Sequence, residues 1–169
     1  MRVTHGCIMI LERWKVMKKI LFLNCSPNES GNTYTIGEKL LEGKEHEVLQ
    51  MVDYHVCQYG QVTEEDEISK IFSKIDEADI LVFGAPVYWY TVGGLLKTFI
   101  DRLYMLPEAE KLQGKEMYLF AQGSAPDEAT KESITFLANR VASLMGMDLK
   151  SVVVDNSSGS RILKEMTIE

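Results

Sequence analysis

Two polar loops in this sequence follow apolar segments, and both carry residues that could hold a flat, phosphorylated ligand. In the first, Lys19-Ile-Leu-Phe-Leu-Asn24 runs into Cys25-Ser-Pro-Asn-Glu-Ser-Gly-Asn-Thr33 and then into a helical pattern. Hydroxyls, amides and a glycine between a strand end and a helix N-terminus supply donors for an anion, and the helix dipole favours negative charge there. The loop is therefore a candidate phosphate site. The alternative is a polar turn with an ordinary N-cap at Asn32 or Thr33.

The second loop follows the apolar segment Ile80 to Phe83 and contains a proline and three aromatic residues, Gly84-Ala-Pro-Val-Tyr-Trp-Tyr90. A glycine pair, Gly93-Gly94, then opens a helical pattern. Ligands of open α/β sheets bind beyond the carboxyl ends of the strands, so a planar ring could lie over this strand end. The alternative is that the aromatic residues form a core or interface cluster.

Strand-like and helix-like segments alternate along the chain. The strand-like segments are Ile20 to Leu23, Glu47 to Val52, Ile80 to Phe83, Glu116 to Ala121 and Ser151 to Val154. One helical pattern, with apolar residues at 68, 71, 72 and 75, follows a Thr63/Asp66 start signal. Near-continuously apolar strands predict a parallel sheet with helices on both faces. We therefore predict a three-layer α/β sandwich with a five-stranded parallel sheet in the order 2-1-3-4-5, which places both loops at the crevice between strands 1 and 3.

Composition and charge limit the classes of partner. With 169 residues and 46% hydrophobic content, the chain suits one domain. Its 18 Lys+Arg and 25 Asp+Glu give a net charge of −7 without a basic cluster, which argues against nucleic acid. The three cysteines form neither a disulfide framework nor a CxxC pair, which favours a reducing cytoplasm.

The first residues call for separate treatment. The apolar run from Cys7 to Leu11 is too short for a secretory or membrane segment, so we expect no membrane association. Met17-Lys-Lys-Ile resembles a natural protein start. We expect residues 1–16 to be an N-terminal extension from a misassigned start or an addition, and residues 17–169 to form the domain.

Motifs of several other classes are absent. The sequence has no GxGxxG, no P-loop and no GxSxG, and its three histidines lack metal-ligand spacing, so we expect no metal. Cys25 could be a phosphatase nucleophile at the end of the first strand. Such loops need an arginine about six positions on, where this chain has Gly31. A small buried thiol is the favoured interpretation of Cys25.

These motifs together resemble a known family. Asn24-Cys-Ser-Pro27, Gly31-Asn-Thr33, Gly84-Ala-Pro-Val-Tyr-Trp89 and Leu96-Lys-Thr-Phe-Ile-Asp-Arg102 are similar to the NADPH-dependent FMN reductase branch of the flavodoxin-like superfamily. The resemblance extends from Met17 to about residue 155 and implies a flavodoxin-like FMN-binding domain. It also implies FMN as cofactor, with NADPH or NADH as electron donor.

The resemblance assigns roles to matching positions. The FMN phosphate would be held by Ser26, Asn32 and Thr33, with amides of the same loop. The isoalloxazine ring would be lined by Pro86, Val87, Tyr88 and Trp89. The flavin edge would meet Gln122, Gly123 and Ser124. No catalytic residue is assigned, because the flavin itself accepts the hydride.

Two positions depart from the family pattern. Many relatives carry arginine where this chain has Asn28, which leaves the phosphate contacts and the choice between NADPH and NADH open. Iron–sulfur relatives carry several closely spaced cysteines after strand two, where only Cys57 stands here, so we expect no cluster.

The resemblance implies a cytoplasmic FMN-dependent NAD(P)H oxidoreductase that passes electrons to a small-molecule acceptor, which would be a quinone, a nitro compound or free flavin. One alternative is a non-enzymatic electron carrier that docks through its acidic surface. Another is a relative that has lost flavin and acts through protein contacts. Large apolar groups crowd the second loop and the region that follows it, at positions 89, 90, 92, 95, 104 and 105. They predict a homodimer with Trp89 or Tyr90 near the two-fold axis.

Overall fold

The computed structural model describes residues 17–104 and 106–169, so the expected extension over residues 1–16, and Met105, lie outside the described residues. The strands are β1 Ile20–Asn24, β2 His46–Gln50, β3 Ile80–Tyr88, β4 Thr91–Val92, β5 Glu116–Gly123 and β6 Asp148–Asn156. The helices are α1 Asn32–Leu40, α2 Ile68–Glu77, α3 Gly94–Arg102, α4 Glu128–Met145 and α5 Ser160–Glu165. Short 3₁₀ helices cover Met51–Asp53 and Pro107–Leu112. None of the helices in the described ranges is both long and apolar enough to cross a membrane.

Five of the strands form one parallel sheet in the order β2-β1-β3-β5-β6, the order predicted for five parallel strands. The predicted number of strands was wrong, because β4 is a sixth and runs antiparallel to the end of β3. β3 continues past Gly84, its last partner to β1, and then folds back on itself. A strand of two residues is too short to leave an alternating pattern in a sequence.

Burial on both faces explains why the central strands are apolar throughout. Every residue of β1 is buried, and side chains that alternate along it enter two different cores. Leu21 and Leu23 belong to the core beneath α2, α3 and α4, whereas Ile20 and Phe22 face α1 and α5. The predicted three-layer arrangement follows from this division.

The predicted start of α2 was wrong. The helix begins at Ile68, and Asp66 lies before it with its carboxylate accepting a hydrogen bond from the Ile68 amide at 3.2 Å. The same carboxylate pairs with the buried guanidinium of Arg102. Thr63 accepts from the Glu65 amide instead of capping the helix. The role of Asp66 is therefore set by its pairing with Arg102, which lies 36 positions later and which a local sequence pattern does not reveal.

Candidate functional site

Hydrogen bonds from backbone amides to side chains determine the shape of the loop between β1 and α1. The Oδ1 of Asn24 accepts from the Ser26 amide at 3.4 Å, and the Oγ of Ser26 accepts from the Asn28 amide at 3.1 Å. The Oδ1 of Asn28 then accepts from the Ser30 amide at 3.3 Å. Each side chain thus satisfies the amide two positions later, which is the bonding of Asx and Ser/Thr turns. The sequence fixes the loop locally, through polar residues at every second position.

The N-terminus of α1 carries no side-chain cap. Its N-cap is Gly31, so an ordinary cap at Asn32 or Thr33 is ruled out, and the first turn contains no acidic residue. The first amide of the helix to find a helical acceptor is that of Thr35, which donates to Gly31 at 3.0 Å. Within the described ranges, no hydrogen bond from the amides of residues 32–34 is present. Unpaired amides at a helix N-terminus attract an anion.

The helix α4 provides a contrast within the same protein. There Asp127 stands at the N-cap and accepts from the Thr130 amide at 2.8 Å, with Glu128 in the first turn. Those carboxylates occupy the place that an anionic ligand would need. At α1 the corresponding place is free of negative side chains in the first turn.

Thr33 and Gln122 join two of the predicted contact regions. The Nε2 of Gln122 donates to the Oγ1 of Thr33 at 3.0 Å, although the residues are 89 positions apart. Both are buried, and this bond satisfies the threonine oxygen while leaving its hydroxyl proton free to donate. Ser26 is also buried, whereas Asn32 and Ser124 are exposed. The fold therefore brings the predicted phosphate residues and the predicted edge contact to one end of the sheet.

The ends of β3 and β5 pass close to each other at this edge. Pro86 pairs with Gln122 in the parallel register, and Pro86 is buried while Val87 is half-buried. A Cβ at Gly123 would lie 2.9 Å from the Cβ of Val87, so the position requires glycine for this approach. These residues bring the backbones of β3 and β5 together at the carboxyl end of the sheet.

The aromatic residues after Val87 lie at the surface. Tyr88 is 50% exposed, Trp89 92% and Tyr90 70%, which rules out the core-cluster alternative for them. The pairs Val87–Val92 and Tyr88–Thr91 leave Trp89 and Tyr90 alone in a two-residue hairpin loop. An interface role for this tip stays a prediction.

The tip of this hairpin is conformationally strained. Trp89 has φ +49° and Tyr90 has φ +63°, the left-handed values that a type I′ turn requires at both central positions. Such turns normally contain asparagine and glycine, because a bulky side chain there costs roughly 1–2 kcal/mol per residue. Strained residues of this kind cluster at active sites and ligand-binding segments, so the hairpin tip is a candidate for a functional role.

Relief of this strain gives a direct test. We expect the double substitution Trp89→Asn/Tyr90→Gly to raise the free energy of unfolding of the apo protein by roughly 1–3 kcal/mol, because both residues then adopt φ > 0 without strain. Chemical denaturation measures the change. Trp89→Leu is the matched control, since it removes the indole but keeps the strain and should bring no gain. A double variant no more stable than the wild type would contradict the strain.

Comparisons with known proteins agree with this geometry. The family model for NADPH-dependent FMN reductase matches residues 18–156. The chain belongs to the NADPH-dependent FMN reductase family. This confirms the predicted family. The flavodoxin-like α/β fold is confirmed as well, apart from the number of strands.

Three proteins show the range of similarity to this chain. An iron–sulfur flavoprotein of Archaeoglobus fulgidus is 35% identical over 100 residues, which cover 52% of this chain and 49% of that protein. The chain thus spans about half the length of that relative. YwqN of Bacillus subtilis, described as an NAD(P)H-dependent FMN-containing oxidoreductase, is 26% identical over 80% of this chain and 83% of its own. The structure of the Trp repressor binding protein from Bacillus subtilis superposes with a TM-score of 0.63 at 28% identity, over 80% of this chain and 86% of that one.

The two cysteines of this FMN reductase family member that lie in the described ranges, Cys25 and Cys57, are buried free thiols. Burial raises the pKa of the Cys25 thiol well above its usual range, so the thiol stays protonated, in agreement with the buried-thiol interpretation. The carbonyl of Cys57 accepts a hydrogen bond from Arg102 at 2.8 Å. In the described ranges, no group of three or more His, Cys, Asp or Glu side chains lies close enough to hold a metal ion.

Proposed function

We propose that this protein binds FMN at the carboxyl ends of β1, β3 and β5 and uses it to pass electrons from NADPH or NADH to a small-molecule acceptor. The acceptor would be a quinone, a nitro compound or free flavin. The observation that carries the proposal is the uncapped N-terminus of α1, which faces the same edge of the sheet as the strained aromatic hairpin. Membership of the FMN reductase family supports it.

The phosphate of FMN would be held without a cationic side chain. Residues 24–34 contain no Lys or Arg, and position 28 is asparagine. Free amides in the first turn of α1 and the helix dipole would therefore bind the phosphate, aided by the hydroxyls of Ser26 and Thr33 and the amide of Asn32. The buried position of Thr33 and its bond from Gln122 fit this role, since its hydroxyl can donate only away from the glutamine.

The ring of FMN would lie against Pro86, Val87, Tyr88 and Trp89, with its edge near Gln122, Gly123 and Ser124. When bound, FMN supplies a ring that accepts hydride from the nicotinamide. The protein supplies the paired backbones of β3 and β5 at the end of the sheet. It also supplies an exposed aromatic hairpin tip that can stack on a planar substrate and exclude water from one side. This division of labour needs no acidic or basic side chain at the reacting atoms.

A homodimer in a reducing cytoplasm completes the proposal. Trp89, Tyr90 and Tyr104 are exposed aromatic residues, which supports an interface near the hairpin. Val92 and Leu95 contribute less than expected, because Val92 is buried and Leu95 packs against the core. Both described cysteines are free thiols, as a reducing compartment requires. Light scattering that detects only monomer at full turnover would contradict the dimer.

The experiment that tests the function is a visible spectrum of the purified protein with FMN, recorded before and after anaerobic addition of NADH or NADPH. We expect one FMN per chain and bleaching of the flavin absorbance by at least one nicotinamide, followed by recovery on addition of a quinone, a nitro compound or free flavin. Protein that binds FMN but is not bleached by either nicotinamide would favour the electron carrier. Protein that binds no FMN would favour the flavin-free alternative.

A carboxylate at the start of α1 should separate binding from stability. We expect Asn32→Asp to weaken FMN affinity at least tenfold, because the new charge repels the phosphate, and to leave riboflavin affinity unchanged. The same charge should raise the free energy of unfolding of the apo protein by about 0.3–1 kcal/mol through the helix dipole. Fluorescence titration and chemical denaturation measure the two effects.

The matched control is Ser69→Asp, which places a carboxylate in the first turn of α2 at an exposed position. It should stabilise the apo protein to a similar extent without changing FMN affinity. Equal FMN affinity of the Asn32→Asp variant and the wild type would show that the phosphate does not bind at α1.

A further inference from the structure

A pair of amide side chains lies behind the β1–α1 loop, at the ends of β1 and β2. Asn24 and Gln50 are register partners in these parallel strands, and the Nδ2 of Asn24 donates to the Oε1 of Gln50 at 2.6 Å. Asn24 is completely buried and Gln50 is half-buried. A buried amide costs free energy unless it is hydrogen-bonded, so this pairing fixes the orientation of both side chains.

The side-chain amides of Asn24 and Gln50 also hydrogen-bond to the middle of the β1–α1 loop. The carbonyl oxygen of Glu29 accepts from the Nδ2 of Asn24 at 3.5 Å and from the Nε2 of Gln50 at 3.4 Å. Among the described residues, these are the hydrogen bonds that join positions 27–31 to the sheet. The other bonds of this segment are local to the loop or lead into α1. The middle of the loop is therefore held to β1 and β2 by Asn24 and Gln50.

We propose that Gln50, acting together with Asn24, is a positioning residue that gives the site its preference for a phosphorylated flavin over an unphosphorylated one. The proposal rests on the proposed function, in which the FMN phosphate lies at the N-terminus of α1. Gln50 belongs to β2, outside the segments that would contact the ligand, and acts through the Glu29 carbonyl and the Asn24 side chain.

Because the loop has no cationic residue, its binding of phosphate depends on the positions of its backbone amides. An arginine can follow a phosphate by moving its long side chain, whereas backbone amides bind it only if they already converge. Residues 24–34 contain no Lys or Arg, so recognition of the phosphate depends on the resting positions of the amides. Without the hydrogen bond from Gln50, the loop would have to become ordered when FMN binds. The free-energy cost of that ordering would weaken binding of the phosphate and leave binding of the flavin ring unchanged.

The test compares two ligands that differ only in the phosphate. We expect Gln50→Met, which keeps the length of the side chain but neither of its hydrogen bonds, to weaken FMN affinity about tenfold while riboflavin affinity changes less than about twofold. The apo protein should unfold at a somewhat lower denaturant concentration than the wild type, because the Nδ2 of the buried Asn24 loses its acceptor, but a loss of stability alone does not change the ratio of the two affinities. Gln113→Met, an exposed glutamine before β5, is the matched control and should change neither affinity.

The second variant covers a failure to fold. Gln50→Asn keeps a neutral amide but is one methylene shorter, so it cannot bond Asn24 and Glu29 together, and it should show the same selective loss of FMN affinity. Equal losses for FMN and riboflavin, or an unchanged ratio of the two affinities, would overturn the positioning role. Wild-type protein that shows no preference for FMN over riboflavin would overturn the phosphate assignment and this proposal with it. A wild-type preference that survives in both Gln50 variants would overturn this proposal only.

Discussion

Replacement of Arg102 by methionine is expected to lower the free energy of unfolding by about 3–5 kcal/mol, the typical cost of removing one partner from a buried ion pair. The side chains of Arg102 and Asp66 are each only 6% exposed and pair with each other. The guanidinium also donates to the Cys57 carbonyl at 2.8 Å, so it fastens the end of α3 to both ends of the segment 57–66. Its removal leaves a buried carboxylate and a buried carbonyl without their partner.

Chemical denaturation of Arg102→Met, Asp66→Asn and the double variant Arg102→Met/Asp66→Asn measures this effect. The double variant should be more stable than the sum of the single losses predicts, because the neutral amide no longer needs a cation. Lys97→Met is the matched control on the same helix. Lys97 pairs with Asp101, each 46% exposed, and such exposed pairs contribute about 0.3–0.5 kcal/mol. Equal losses for Arg102→Met and Lys97→Met would contradict a structural role for the buried pair.

Replacement of Gly37 by alanine is expected to destabilise the protein by about 3 kcal/mol or more, because the added methyl group has no room. A Cβ at this position would lie 2.2 Å from the Cζ of Phe22 and 2.3 Å from its Cε1. Phe22 is fully buried and packs against Phe120 with ring centroids 5.9 Å apart, so it cannot move aside. The helix α1 would have to rise from the sheet, which should weaken FMN affinity as well.

Thermal unfolding and FMN titration of Gly37→Ala test both effects. Gly94→Ala is the matched control, since Gly94 is also helical but a Cβ there would meet nothing within 4 Å, and alanine should be neutral or slightly stabilising. Phe22→Leu introduced into the Gly37→Ala variant should recover part of the loss by opening space. A cost below about 1 kcal/mol for Gly37→Ala would show that α1 does not pack as tightly as described.

Patterns of buried strands and helices were sufficient to predict the order of the parallel strands, because β1 and β3 are apolar on both faces. The same patterns placed the ends of β3 and β5 too early. β3 continues to Tyr88 and β5 to Gly123, through Pro86 and Gln122, which resemble loop residues in a sequence. These extensions pair with each other, and strand pairing between distant segments leaves no local signal.

The candidate site was only partly predictable for a similar reason. Polar residues at a strand end indicated the β1–α1 loop, and the resemblance supplied the ring contacts. The bond between Thr33 and Gln122 and the support from Gln50 depend on the register of strands that are far apart in the chain. A polar residue at the end of a neighbouring parallel strand was the available signal for Gln50. The hairpin could not be predicted from its turn residues, because Trp89 and Tyr90 are unfavourable at φ > 0.

The strained hairpin has a consequence for protein engineering. A library at Trp89 and Tyr90 that is screened only for heat resistance should enrich asparagine and glycine, the residues that the turn geometry prefers. Under the proposed function, the selected variants would lack the aromatic surface that contacts the substrate. Selection for stability and selection for turnover would therefore favour different residues at these two positions. Directed evolution of this scaffold would have to select for both properties together, or keep this pair fixed and seek stability elsewhere.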